Sequence, residues 1–418
     1  MCKLFLHSVN LSIDKAIKVN QLMISVSEAT SIILSHSIET GREDIAIQHA
    51  CGRVLREEVR ADRNFPPFDR VAMDGIAINF ESYKKGNRKF IIEAIQAAGE
   101  QAKKLKNQDA CIEAMTGAML PMGVDTVIRY EDLTIKDKVA TITFDELKQR
   151  DNIHHQGQDA KQNDVLLSPG ILLSPAEVAL LASVGKKTIA VSMFPKTAII
   201  STGDELIPVD LIPMPYQIRR SNSYALQAAL LELGCASDQY HIPDQPEILE
   251  TEVRKLLAHY ELIIFSGGVS KGKFDFVPQT LERNGIQKRF HHVSQKPGKP
   301  LWFGTSSTHI VFALPGNPVS TYMCFYRYIK PWLIKSLGGS MEPKQAMLAK
   351  DFSFKPALTY FLQVKVVYKK GQLVAYPKSG GGSGDFANLK EVDGFIELPA
   401  EETDFKTGEA YPYFQFRI

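Results

Sequence analysis

The chain has 418 residues, 44% hydrophobic and 23% charged, and its 49 lysines and arginines against 47 acids leave a formal net charge of +2. That balance excludes a broad basic footprint for nucleic acid, so any anion site must be local, and no run approaches the roughly 18 apolar residues of a membrane span. The length exceeds what one core serves and predicts about three or four domains.

Five scattered cysteines (Cys2, Cys51, Cys111, Cys235, Cys324) show no CxxC and no metal-type spacing. They read as unpaired thiols of a reducing compartment, which predicts a cytoplasmic protein. Residues 1–22 hold a lysine and a short apolar patch, without a long apolar h-region or a small-residue cleavage site, and read as a loose N-terminal extension. Helical spacing begins after Met23, with Val26, Ala29, Ile33 and Leu34 on one face and Ser27 as the expected N-cap. Glu43–Ile47 reads as a strand, Ala50–Glu57 as one or two helical turns, and Arg60–Phe68, with Pro66-Pro67, as extended loop. In Val71–Ile78, Gly75 reads as a break beside Asp74. From Phe90 to Phe144, short apolar runs parted by Gly, Asp, Asn and Pro predict a small β-barrel or sandwich. Asn152–Asp159 is a polar loop and Asp164–Leu166 is strand-like. Ser174–Val184 carries every sign of a helix: Ser174 as cap, Pro175 first, Glu177 completing a capping box, and Gly185 to end it.

The next segment alternates strand and helix, as a parallel sheet with crossover helices does. Strands are expected at Thr197–Ile200, Cys235–His241, Leu262–Phe265, Lys288–Val293 and His309–Ala313. Helices are expected at Asn222–Leu233, Glu247–His259, Phe276–Arg283 and, without interruption, Pro318–Leu337. Tyr360–Val367, Gln372–Tyr376 and Gly394–Leu398 then predict a final all-β region. The aromatic cluster Tyr322, Phe325, Tyr326 and Tyr328 is expected to pack rather than bind.

Chemistry gathers at strand ends. Leu262–Phe265 breaks into Ser266-Gly267-Gly268, where two glycines let the backbone turn tightly and offer N–H groups to an anion. Polar, glycine- or proline-rich turns follow four other strands: STGDEL (201–206), PDQP (243–246), KPGKP (296–300) and LPGNP (314–318). In open α/β sheets, ligands sit at such ends. Asp204, Glu205, Asp244 and Asp275 against Lys296 and Lys299 suit a metal-bound phosphate ester, with carboxylates holding a hydrated cation and lysines holding phosphate, and Lys271 and Lys273 add positive charge after the glycine turn.

Taken in order, AMDGIA (72–77), MTGA (115–118) with Pro121, NIHHQGQD (152–159), STGDEL, RSNSYAL (220–226), SGGVSKGKFDF (266–276), KPGKP, LPGNPVS (314–320) and GSGDFANL (382–389) resemble the MoeA family of molybdopterin molybdenumtransferases, whose relatives include the E domain of gephyrin. The resemblance runs from about Met23 to the C-terminus. It implies an α/β plus β multi-domain fold: an elongated linker domain (23–60 and 150–190), a small β-rich domain (61–149), a central MogA/MoaB-like molybdopterin-binding α/β domain (191–338) and a C-terminal β-barrel (343–418). It implies insertion of molybdate into adenylylated molybdopterin with release of AMP, dependence on Mg²⁺, a homodimer, and a MogA-type adenylyltransferase as a further candidate partner. Matched motif by motif, the functional groups fall on Asp74, Thr116, Asp159, Glu205, Asp244 and Asp275, with Glu205, Asp244 and Asp275 on the metal. Substrate contacts fall on Ser266, Gly267, Gly268, Ser270, Lys296, Lys299, Pro315, Pro318 and Ser320.

The chain also departs from the family pattern. Arg70-Val71 stand where Asn-Ser is common, Gln158 where Glu is usual, and His292 where a lysine is frequent. Leu358 stands in place of an arginine, and Ala387 and Asn388 in place of serines. The last three remove a charge and hydroxyls from the expected molybdate contacts. They keep open an alternative: a diverged molybdopterin-binding paralogue or scaffold that inserts no metal.

Overall fold

The computed structural model describes residues 23–269, 276–378, 380 and 382–417. They form two compact units: Ala46–Cys51 with Leu55–Ile189, and Gly52–Val54 with Ala190 onward and the chain up to Ile45.

The first unit is built on a six-stranded sheet in the order Thr126–Arg129, Gly75–Ile78, Cys111–Ala114, Lys89–Gln96, Val139–Ile142, Leu133–Lys136. Its central strands are apolar on both faces, as strands covered on both sides must be. Ala77, Ile112 and Val127 join one core cluster, while Ile76, Cys111 and Ile128 join another. The two outer strands each have one neighbour, so the expected barrel or sandwich is instead an open sheet. Gly75 opens a central strand rather than breaking it, and is squeezed between Ala114 and Arg129. Pro175–Ser183 is helical with the Ser174–Glu177 capping box in place. Ala50–Glu57 is not helical: Gly52 turns the backbone at φ +80°, and Val54 and Leu55 enter β-bridges.

In the second unit, six strands carry the site: β1 Thr197–Thr202, β2 Ser237–Ile242, β3 Leu262–Ser266, β4 Gln287–His291, β5 Trp302–Thr305 and β6 Ile310–Leu314, ordered β2-β1-β3-β6-β5-β4. The pairs β1–β2, β1–β3 and β3–β6 are parallel, which brings their C-terminal ends to one edge. Strand β5, absent from the sequence reading, runs antiparallel to β6 and β4. The first helix, Val26–Ser35, is capped by Ser25 rather than Ser27, because Ser25 and Glu28 complete a capping box.

The expected long helix is interrupted. It runs α-helical over Pro318–Cys324, widens to π over Phe325–Ile329, and returns to α over Lys330–Ser336. Pro331 has no N–H for the carbonyl four residues back, so one bond of the α-ladder is missing, and the Lys330 N–H bonds Phe325 instead. The aromatic cluster here packs as expected, with Phe325, Tyr326 and Tyr328 buried. The C-terminal region is a closed five-stranded barrel: Thr359–Lys369 pairs with Gln372–Pro377 and Gly394–Leu398, and Lys344–Leu348 and Ala410–Gln415 complete the ring.

Candidate functional site

A cavity of about 660 Å³ opens at the shared edge of β1, β2, β3 and β6. Four strand-end turns meet there. Thr202, Gly203 and Glu205 come from the first, Asp244 from the second, Ser266, Gly267 and Gly268 from the third, and Pro315 and Pro318 from the fourth. The fifth turn is divided. Pro300 reaches this cavity, whereas Gln295–Lys296 pairs with Thr359–Tyr360 of the barrel. The Lys296 ammonium therefore lies 5.4 Å from the Phe354 ring and 5.9 Å from the Tyr360 ring, beside a second cavity of about 290 Å³. Ser320 is buried on the Pro318–Cys324 helix, and neither it nor Lys299 lines the larger cavity. Ser270, Lys271, Lys273 and Asp275 lie outside the described residues.

The glycines are required by geometry. Gly267 has φ +105° and Gly268 +69°. A Cβ on Gly268 would stand 2.6 Å from Val277 Cγ2 and 2.8 Å from Thr202 Oγ1. The Gly267 N–H is already committed to the Leu314 carbonyl at 3.1 Å, which leaves the Gly268 N–H as the cradle's donor among the described residues. The buried Thr202 Oγ1 has no partner, and neither does Arg220 Nε. Both residues line this cavity. Unpaired buried donors around one space are what an absent oxyanion would satisfy. We expect Gly268→Ala to strain the backbone by roughly 1–3 kcal/mol and to weaken binding of a phosphate-bearing ligand at least about tenfold, since the whole turn must shift. Isothermal titration against wild type measures this; equal affinity would remove Gly268 from the site.

Sequence reasoning gave no role to Asn222, Arg219 or Arg220, although RSNSYAL was noted as a motif. Asn222 Nδ2 donates to Ser266 Oγ at 2.9 Å and to the Gly316 carbonyl at 2.8 Å, tying the β3 turn to the β6 turn. An asparagine opening a helix beside serines was the available signal. Glu205 and Asp244 both line the cavity, and the Asp244 N–H donates to Asp204 Oδ1 at 3.1 Å. Among the described residues no group of three or more His, Cys, Asp or Glu side chains could hold a metal ion. Two carboxylates nevertheless fit a hydrated Mg²⁺, which keeps several waters and takes one or two protein oxygens.

His292, at a departure from the family pattern, has φ +80°, and its ring lies 4.0 Å from that of His291. His291 Nε2 in turn lies 3.0 Å from the Val269 carbonyl, at the far end of the glycine turn. Asn388 donates to Gln363 Oε1 at 3.1 Å within the C-terminal region.

The first unit holds the remaining candidates. The Thr116 N–H donates to Asp74 Oδ1 at 2.6 Å. That bond, with a second from the Thr116 hydroxyl, holds the Asp74 carboxyl below its ordinary range. Asp159 Oδ1 lies 2.8 Å from His154 Nε2, and His154 Nδ1 lies 2.9 Å from Arg70 Nη2.

Three family models match the chain: "MoeA N-terminal region (domain I and II)" over residues 24–185, "Probable molybdopterin binding domain" over 198–335, and "MoeA C-terminal region (domain IV)" over 345–416. A molybdopterin molybdenumtransferase of Synechocystis is 38% identical over 397 residues, covering 94% of this chain and 100% of the relative. That of Bacillus subtilis is 32% identical, with 92% of each chain covered. Among solved structures, the molybdopterin biosynthesis MoeA protein of Pyrococcus horikoshii aligns with a TM-score of 0.78 at 28% identity, covering 95% of this chain and 100% of its own.

Proposed function

The chain belongs to the MoeA family and is a transferase of molybdenum cofactor biosynthesis, and from that premise we propose that it binds adenylylated molybdopterin, cleaves its phosphoric anhydride to release AMP, and inserts molybdate at the dithiolene. The observation that carries this reading is the cavity at the strand ends, with its glycine turn, the unpaired Thr202 Oγ1 and Arg220 Nε, and two carboxylate residues in its lining. Cleaving a phosphoric anhydride demands positioning and charge stabilisation more than covalent chemistry. The Gly268 N–H and Thr202 hydroxyl hold a phosphate, and Arg220 adds positive charge to the same cavity. Glu205 and Asp244, with Asp275, would hold Mg²⁺, which when bound neutralises charge on the leaving phosphate. We assign phosphate and molybdate contacts to Lys296, Lys299, Pro315, Pro318 and Ser320, of which Pro315 and Pro318 line the larger cavity and Lys296 the second.

Asp74, Thr116 and Asp159, all in the first unit, are the remaining catalytic candidates. Asp74 is kept ionised by Thr116, so it acts as an acceptor or a charge rather than as an acid. The protein works as a homodimer in the cytoplasm, with a MogA-type adenylyltransferase supplying the nucleotide. The cysteines Cys51, Cys111, Cys235 and Cys324 are free, which suits a reducing compartment.

The test is AMP release from adenylylated molybdopterin and Mg²⁺, with and without molybdate. Molybdate should accelerate release. Release that molybdate does not change would favour the paralogue lacking metal insertion, in line with Leu358, Ala387 and Asn388 at the expected molybdate contacts.

A further inference from the structure

One dipeptide, Arg70–Val71, ties together the segments that carry Thr116 and Asp159. On one side, the Val71 N–H bonds the Ala118 carbonyl and the Val71 carbonyl takes the Gly117 N–H, each at 2.9 Å, directly beside Thr116. On the other side, Val71 pairs with Ile153 and Arg70 with His154 in an antiparallel ladder. The Arg70 side chain continues this second link. Its Nη2 lies 2.9 Å from His154 Nδ1, and His154 Nε2 lies 2.8 Å from Asp159 Oδ1.

The direction of these bonds is fixed by chemistry. A guanidinium only donates, so Nδ1 must accept. The ring proton therefore sits on Nε2 and is given to Asp159. Without Arg70 the Nε2–H tautomer rests on its bond to the exposed Asp159 carboxylate alone, and the Nδ1–H tautomer, which cannot hold Asp159, becomes accessible.

Asp159 needs such support, because its side chain is 56% exposed and an exposed ionic contact alone holds a carboxylate weakly. Its backbone is placed separately, by the Asp159 N–H to the Phe65 carbonyl at 2.9 Å. Among the described residues the Asp159 Oδ2 has no hydrogen-bond partner and is left for a ligand or a proton, whereas Oδ1 is used by the imidazole. The neighbouring pair is distinct: Asp69 Oδ1 takes the Gln156 N–H at 2.8 Å and lies 3.5 Å from His155 Nδ1.

We infer that Arg70 and His154 are positioning residues for Asp159, Arg70 by selecting the Nε2–H tautomer of His154 and His154 by orienting the carboxylate. This rests on Asp159 serving the reaction proposed above, and the experiment separates the two. Imidazole ¹⁵N spectra of the full protein at neutral pH should show His154 as the Nε2–H tautomer in wild type and as a mixture in Arg70→Met. Arg70→Met and His154→Leu should each lower kcat for AMP release about tenfold with KM unchanged, the loss expected from a misdirected group. His154→Gln, which can accept from Arg70 and donate to Asp159, should recover most of the rate. Asp159→Ala should be the slowest. A wild-type rate in Asp159→Ala would overturn the role of Asp159 and the inference with it. An inactive Asp159→Ala beside wild-type rates in Arg70→Met and His154→Leu would overturn the inference alone. An Nδ1–H tautomer in the wild-type spectrum would overturn it without any assay.

Discussion

Replacing Asp244 with alanine should lower AMP release by about 10²–10³-fold. Asp244 lies just beyond the end of β2 and, like Glu205, lines the cavity. Its backbone N–H bonds Asp204 Oδ1, and that contact survives loss of the side chain. The helix that follows starts with Pro246 and is indifferent to the change. What is lost is one of the two described carboxylates that line the cavity, and with it charge compensation on the leaving phosphate. Glu205→Gln should behave alike, and the double variant should be little worse than either, because the two act on one ion. Mg²⁺ titration of the residual rate is the control: wild type should saturate at lower Mg²⁺ than Asp244→Ala. Full activity in Asp244→Ala would remove the metal from this cavity.

Gly75→Ala should destabilise the first unit by more than about 3 kcal/mol, an effect far larger than its single methyl group. An alanine Cβ there would stand 1.8 Å from the Ile128 carbonyl oxygen, 2.8 Å from its carbon and 3.0 Å from Arg129 Cα. Those atoms belong to the paired backbone of the neighbouring strand, which cannot move without breaking the register Gly75↔Arg129, Ile76↔Ile128. The damage lands beside Asp74, whose Oδ1 takes the Thr116 N–H, so any folded remnant should also lose activity. Denaturant unfolding followed by proteolysis mapping would show early cleavage within residues 55–189. Wild-type stability in Gly75→Ala would mean that the two strands are not packed this closely.

Legibility in the sequence followed whether a feature was local. The Pro175–Ser183 helix was readable because its start is written in four adjacent residues. The buried strand β3 was readable because both of its faces are apolar. The parallel sheet followed from alternation, and with it the shared edge where the cavity opens. Long-range facts were not visible. Pro331 widens a helix whose periodicity otherwise looks continuous. Strand β5 has only four residues and was passed over although the KPGKP turn stands just before it. Gly75 is required by a neighbour fifty residues away in the chain. Within the site, motif matching reached the acids and glycines, yet it gave no role to Arg220, Thr202 and Asn222. Asn222 matters because of what it joins across the sheet, and Arg220 and Thr202 matter because Arg220 Nε and Thr202 Oγ1 are buried without partners. Lys296 was read beside Lys299 on one rim, but pairing of Gln295–Lys296 with the barrel strand turns Lys296 toward the second cavity.

The most direct test is a crystal structure of the protein with Mg²⁺ and adenylylated molybdopterin, using an inactive Asp244→Ala variant to retain the ligand. The phosphates should lie against the Gly268 N–H, Thr202 Oγ1 and Arg220 in the larger cavity, with each of those donors now paired. A ligand seated elsewhere, with Thr202 Oγ1 and Arg220 Nε still unpaired, would contradict the assignment of the site.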